Sequence, residues 1–143
     1  MITTCAPAQY ERLKSLGADH CFDYHLSQTG DQIRRLTENR LRFAWDTIAN
    51  ENSARMCADA LSTDPGARYG TTNPMKSPRA DVESTAVVMY TMMGEAFKYG
   101  TTNYPACRDD FEFAKRFMTL TESLLDLVRA IWAPNELVSL MSI

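Results

Sequence analysis

His20, Cys21 and His25 are the side chains most suggestive of metal chemistry, because imidazole and thiolate are the donors zinc favours. In an extended strand, however, neighbouring side chains point to opposite faces, so His20 and Cys21 cannot aim at one ion, and no metal site is expected. A hydrolytic constellation has no better support. Both histidines lie in or beside one β-prone run, and no Ser/His/Asp or Cys/His nucleophile arrangement can be assembled around them. Cys5, Cys21, Cys57 and Cys107 are scattered through apolar segments without CxxC spacing, which reads as buried thiols rather than a disulfide framework. Three further groups could meet a ligand. Tyr24, at the end of a β-prone run, suits either a packed surface tyrosine or a contact to a bound molecule. Asn73 before Pro74 is turn chemistry on its own. Met89, Met92 and Met93 carry flexible thioethers, which fill irregular cores and also make adaptable walls for apolar ligands.

The elements that hold these residues alternate between two periodicities. Ile2–Cys5 is a short β-prone run, and Gln9–Leu16 follows as a helix that Gly17 stops. His20–Tyr24 reads as a second strand and Asp31–Asn39 as a second helix, with Ile33 and Leu36 inward. Leu41–Ile48 gives a third strand, and Asn50 or Asn52 caps a helix running to Leu61, with Met56, Cys57 and Ala60 on its apolar side. After the Asp64-Pro65-Gly66 turn, Arg68–Thr72 is a fourth strand. Beyond a Pro-rich loop, Val82–Met93 forms a longer β-prone stretch ending at Gly94. Residues 95 to 108 read as a loop. Asp109–Trp132 is then a long helix whose stripe of Phe113, Phe117, Leu120, Leu124 and Leu127 is expected in the core. Strand and helix alternating in this way predict an α/β fold with a doubly wound, mostly parallel sheet.

Composition narrows the function classes. With 143 residues, 45% of them hydrophobic and 23% charged, the chain is expected to form an ordinary globular domain over residues 1–143. A net charge of -3 with no dense block of Lys and Arg argues against nucleic acid as a partner. No apolar run reaches the roughly 20 residues of a membrane span. The first residues lack the pattern of a secretory signal, so a cytoplasmic location is expected. The six glycines never fall into a GxGxxG-like turn, so the usual backbone cradle for a dinucleotide pyrophosphate is missing from this sequence.

Several blocks in order carry a family resemblance: Thr4-Cys5-Ala6-Pro7, Lys14-Ser15-Leu16-Gly17-Ala18-Asp19, Phe22-Asp23-Tyr24 and Leu41 to Ile48. Further blocks are Cys57 to Leu61, Tyr69 to Pro74, Tyr90 to Glu95 and Asp110 to Lys115. Over residues 1 to about 128 the chain closely resembles the trans-acting enoyl reductases of fungal polyketide synthesis, members of the medium-chain dehydrogenase/reductase superfamily. Residues 129–143 form a divergent tail. The resemblance implies a Rossmann-like sheet that lacks its first strand and glycine turn, a nucleotide-binding half truncated at both ends. In the family, NADPH delivers hydride to the β-carbon of an α,β-unsaturated thioester carried on a partner polyketide synthase.

The same resemblance implies that Ala6, Pro7, Ala8 and Gln9 lie where the adenosine ribose and its 2′-phosphate are held. It implies that Tyr24 is a further cofactor contact, and that Thr72 and Asn73 face the nicotinamide half. Tyr90, Thr91, Met92, Met93 and Gly94 match the stretch that lines the substrate pocket, and the matched blocks specify no catalytic residue. The family usually has Ser at position 6, and Ala6 has no hydroxyl for the 2′-phosphate. Together with the missing glycine turn, this leads to an expectation of weak or absent NADPH binding. Three activities are compatible: a reductase completed by a partner, a cofactor-independent cyclase or isomerase, and a noncatalytic docking module for a polyketide synthase. In the strand order 3-2-1-4-5-6 the missing strand is the central one. Ile2–Cys5 is therefore expected to pair directly with Phe43–Ile48, or to recruit a second copy or a partner that completes the sheet.

Overall fold

Ile2-Thr-Thr-Cys5 is short and rich in β-branched residues, and it forms strand β1 (Ile2–Cys5). The computed structural model describes residues 1–131, and they divide into two compact units, Met1–Val88 and a second that starts at Met89. In the first unit a 3-10 turn at Pro7–Gln9 leads into helix α1 (Tyr10–Ser15). Gly17, at φ 100°, takes the left-handed conformation that ends the helix. Strand β2 (His20–Asp23) runs parallel to β1, with Ile2 opposite His20 and Cys5 opposite Asp23. Helix α2 (Thr29–Leu36) follows, and then strand β3 (Phe43–Asp46), helix α3 (Glu51–Ala60), strand β4 (Arg68–Thr71) and strand β5 (Glu83–Ala86).

β3, β4 and β5 form a second parallel sheet in that order. The three strand pairings of this unit are all parallel, the α/β, Rossmann-like arrangement that the alternation predicts. β1 pairs with β2 and β3 with β4, so direct pairing of Ile2–Cys5 with Phe43–Ile48 does not occur. The core of the second sheet gathers Ala54, Leu61, Ala67, Tyr69 and Val82, with Leu41, Ala44, Cys57 and Met75 packed against it. Helices α2 and α3 lie against each other. Their approach is close at Gly30, where a Cβ would stand 2.6 Å from the Met56 carbonyl oxygen and 2.6 Å from the Asp59 Cβ.

The second unit departs from the sequence expectations. The β-prone stretch Val82–Met93 is not continuous: β5 ends at Ala86, and Met89–Met93 is a 3-10 helix. The expected loop at 95 to 108 contains an antiparallel hairpin of β6 (Phe97–Tyr99) and β7 (Thr102–Tyr104), turned by Gly100 at φ 59°. Helix α4 (Arg108–Ile131) follows. Its stripe is exposed rather than in the core, with Phe113 61%, Phe117 53%, Leu120 55% and Leu124 52% accessible. Helical periodicity defines an apolar face but not whether anything lies on it, which is why this expectation failed. The side chain of Leu127 and the tail from Trp132 onward lie outside the described residues. The four cysteines are half-buried rather than enclosed, and all are free thiols. Among the described residues no helix is long and apolar enough to cross a membrane.

Gly30→Ala is expected to push α2 away from α3 and to cost roughly 1–3 kcal/mol, the usual range for overpacking against an unyielding neighbour. Urea unfolding followed by circular dichroism measures this, and an unchanged midpoint contradicts the close-approach argument.

Candidate functional site

Open parallel sheets place ligands in the crevice outside the carboxyl ends of their strands. The residues of interest in the first unit sit at those ends. β1 runs out into Ala6, whose carbonyl accepts the Gln9 N–H at 2.9 Å and closes the turn over Pro7 and Ala8. Proline at the start of that turn fixes its backbone, and no side chain caps it. Ala6 is half-buried, whereas Pro7, Ala8 and Gln9 are exposed.

β2 runs out into Tyr24 and His25. Asp23 Oδ1 accepts from the His25 backbone N–H at 2.9 Å and lies 2.6 Å from His25 Nδ1. The imidazole lies against the Tyr24 ring, with centroids 4.1 Å apart. The His25 N–H holds the Asp23 carboxyl below the usual carboxylate range, against the smaller opposing effect of burial. Because the strands are parallel and Cys5 faces Asp23, the Ala6 turn and the Tyr24–His25 pair leave the sheet at the same edge.

β3 ends in Asp46, which is 5% accessible. Its Oδ1 accepts from the N–H groups of Ile48 and Ala49, both at 2.9 Å, and its Oδ2 accepts the Tyr69 hydroxyl at 2.8 Å. Burial raises the pKa of this carboxyl. The Ala49 N–H, the Ser53 and Tyr69 hydroxyls and the Ile48 N–H outweigh it, and the net position is below the ordinary range. Burial pushes the neighbouring Cys57 thiol up to about 12, so it is a neutral packing group. Next door, β4 runs out into Thr72, whose N–H donates to the Asp46 carbonyl at 3.3 Å and whose hydroxyl donates to the Thr47 carbonyl at 3.3 Å. Asn73 follows with its N–H on the Thr71 hydroxyl at 3.3 Å, and both Thr72 and Asn73 are exposed.

Ala6–Gln9 and Tyr24 thus share one sheet edge, and Thr72 with Asn73 belong to the other sheet. Tyr90 to Gly94 lie in the second unit. There Tyr90 packs on Phe97 at 5.6 Å and on Tyr99 at 6.3 Å, and Phe97 stacks on Tyr104 at 4.9 Å. Thr91 and Met92 are half-buried, while Met93 is exposed. Gly94, at φ 75°, closes the turn through its N–H to the Thr91 carbonyl. An added Cβ there would lie 3.0 Å from the Phe111 ring. Gly94 also borders a shallow cleft with Ala106, Arg108, Phe111 and Glu112, which Tyr90, Thr91, Met92 and Met93 do not line.

Sequence reasoning missed the Asp46–Tyr69 pair, the Asp23–His25 pair and the aromatic hairpin. A carboxylate closing the apolar run Phe43-Ala44-Trp45-Asp46 was the available signal for the first, since such a group must find donors. Among the described residues no three His, Cys, Asp or Glu side chains are grouped to hold a metal ion.

No protein-family model matches the chain. Individual relatives do. It is 36% identical over 130 residues to the trans-enoyl reductase resD of Aspergillus sclerotiorum, covering 87% of this chain and 36% of that protein. It is 43% identical over 97 residues to the trans-enoyl reductase TOXD of Cochliobolus carbonum, covering 68% of this chain and 32% of that one. Over the part it spans, the chain is homologous to the fungal trans-enoyl reductases. It spans about a third of the length of these relatives. Among solved structures, the CurK enoyl reductase superposes with a TM-score of 0.61 at 14% identity, over 85% of this chain and 35% of that one. That likeness shows the fold, a parallel α/β arrangement of Rossmann type.

Asp46→Asn and Tyr69→Phe are each expected to destabilise the chain by about 1.5–3 kcal/mol, the range for hydrogen bonds to a charged group. The Asp46 pKa is depressed by folding, so its contribution is fully present above the unfolded value of about 3.9 and is lost as pH falls through the folded value. Wild type should therefore lose stability on acidification below pH ~4, and Asp46→Asn should flatten that limb. Equilibrium unfolding across pH 2–7 measures both effects, and superimposable acid limbs contradict the assignment.

Proposed function

We propose that this chain supplies the adenosine-side loops and part of the substrate wall of an NADPH-dependent enoyl reductase. It would act on an α,β-unsaturated polyketide thioester in the cytoplasm, with a polyketide synthase as partner and further polypeptide completing the site. One observation carries the reading: the residues matched to cofactor contacts, Ala6–Gln9, Tyr24, and Thr72 with Asn73, each follow directly on a strand of a parallel sheet, at its carboxyl end. That is where an open α/β sheet binds its ligand.

The fit to NADPH is divided. The exposed turn Pro7–Gln9 and the Tyr24–His25 rings offer a nucleoside a flat surface and hydrogen-bonding groups. The pyrophosphate finds no glycine-rich turn in the 143 residues. When bound, NADPH supplies the hydride for the β-carbon. This chain's residues orient: Thr72 and Asn73, at the carboxyl end of β4, offer hydroxyl and amide groups, held by Thr47 and Thr71. Tyr90 and the methionines beside it give an extended unsaturated chain an apolar surface.

Two outcomes test this. The 143-residue chain alone should bind NADPH more weakly than micromolar, because the partial site must still offset an association cost of at least about 4 kcal/mol. Calorimetric titration giving a micromolar or tighter constant contradicts that expectation. In the second test the chain is incubated with polyketide thioesters, with and without NADPH and the synthase, and products are followed by mass. Gain of two hydrogens dependent on NADPH and the added polypeptide supports the reductase. An isomeric product without cofactor replaces it with a cyclase, and no product in any arm leaves a docking module. Tyr90→Ala and Met92→Ala should lower turnover or binding by roughly tenfold, about 1.4 kcal/mol. Unchanged values place the substrate elsewhere.

A further inference from the structure

We propose that the loop between β4 and β5 forms a phosphate-binding cleft at the amino-terminal end of the sheet, opposite the carboxyl ends that carry the cofactor reading. Because β4 and β5 are parallel, with Arg68 opposite Glu83, residues 72 to 82 must bring the chain back from one end of the sheet to the other. Where the loop meets the start of β5 it borders a cleft of about 270 Å³, lined by Lys76, Ser77, Arg79, Ala80, Val82 and Ser84. None of the residues matched to cofactor contacts lines it.

The cleft keeps its shape through its own bonds. Pro74 and Pro78 restrict the loop backbone. The Ser77 N–H donates to Ser84 Oγ at 3.0 Å and ties the loop to β5, and the Arg79 N–H donates to Ser77 Oγ at 3.2 Å. Arg79 is anchored in turn. Its guanidinium donates to the carbonyls of Ala58, Leu61 and Ser62 and pairs with Asp81, which leaves its side chain 21% accessible.

The groups left unspent in this cleft are donors. Both serine oxygens already accept, so each hydroxyl has its proton to give, and among the described residues neither proton has an acceptor. Lys76 is exposed and forms no ion pair among the described residues. The two carboxylates nearest in sequence are taken by arginines, Asp81 by Arg79 and Glu83 by Arg68, and no carboxylate lines the cleft. Two hydroxyl protons and an ammonium suit an oxygen-rich anion that accepts from several directions. A tetrahedral phosphate does this, and lysine meets it as a point charge. A cation would find no ligand there.

The test titrates the isotope-labelled 143-residue chain with inorganic phosphate at neutral pH, against chloride at equal ionic strength, and reads the amides of Ser77, Arg79 and Ser84 by NMR. Wild type should show saturable shifts at these amides with a dissociation constant on the order of millimolar, the scale open to so small a ligand. Lys76→Gln should weaken binding roughly three- to tenfold, the span between an exposed ion pair and a well-placed charged hydrogen bond, and Lys76→Arg should retain it. Lys76 is exposed, so neither variant threatens the fold. A parallel titration with glycerol phosphate separates the sources: equal or tighter binding assigns the cleft to a phosphate carried on an organic group, and markedly weaker binding assigns it to the free ion. Shifts that match those in chloride, that fail to saturate by about 50 mM, or that survive Lys76→Gln unchanged overturn the site and leave the cofactor reading standing.

Discussion

A carboxylate taken out of water at the end of a strand must find donors, and at Asp46 those donors organise the first unit. An ionised carboxyl left unpaired in the interior would cost several kcal/mol. Here the Ile48 and Ala49 N–H groups and the Tyr69 hydroxyl meet it. The two backbone bonds fold residues 47 to 49 under the carboxylate and hold Ala49 at φ 53°, a left-handed conformation costing an L-residue roughly 1–2 kcal/mol. From there Asn50 turns extended and caps α3, accepting the Ser53 N–H while Ser53 Oγ accepts the Asn50 N–H. Tyr69 ties the same carboxylate to β4, whose next residues are Thr72 and Asn73. One buried charge thus ends a strand, starts a helix and sets the loop after the neighbouring strand.

The other end of α3 shows the complementary problem. Its last carbonyls are orphaned, and two arginines from distant segments answer them. Arg79 donates to the carbonyls of Ala58, Leu61 and Ser62 at 2.9 Å each, and Arg34 reaches Ala58 at 3.1 Å. Cations at a helix C-terminus are favoured by the helix dipole. Arg79 is also balanced by Asp81, so the polar loop after β4 is anchored beneath α3. Arg34 comes from α2, and with Gly30 it fixes how closely the two helices approach. Contact between these helices links the segment that carries β2 to the segment that carries β3, without any strand pairing between the two sheets.

Much of this was legible along the chain because it is written in local chemistry. The strands at Ile2–Cys5, His20–Asp23, Phe43–Asp46 and Arg68–Thr71 fall within one or two residues of the β-prone runs, and Gly17 and Asn50 mark helix ends for stated steric and hydrogen-bonding reasons. What the sequence hid depends on partners far along the chain. Val82–Met93 has strand composition throughout, yet only Glu83–Ala86 finds a neighbour, β4, and the rest coils into a 3-10 turn that Gly94 and Phe111 shape. The hairpin at Phe97–Tyr104 is held by cross-strand ring stacking, which composition does not announce. His25 was visible only as a failed metal ligand, because its partner Asp23 matters through a side-chain geometry that spacing alone does not give.

The exposed aromatics of β3 carry the same lesson one step further. Phe43 and Trp45 alternate onto one face and remain 56% and 48% accessible. Their rings lie 6.4 Å apart, and the Trp45 ring lies so close over Gly70 of β4 that a Cβ there would come within 2.4 Å of it. The glycine therefore gives the indole a seat on the sheet that any other residue would deny it. Such a seat conserves the shape of the face without hiding it from water. Strands of a parallel sheet are ordinarily covered on both faces, and uncovered apolar rings are a standing driving force for association. Within the first unit, the helix pair answers the packing demand of α2 and α3, and the rings of β3 stay in contact with water. The turns that follow β1, β2 and β3 need none of that cover to keep their shape, since Ala6, Asp23 and Asp46 each hold their own turn with hydrogen bonds that begin and end within a few residues.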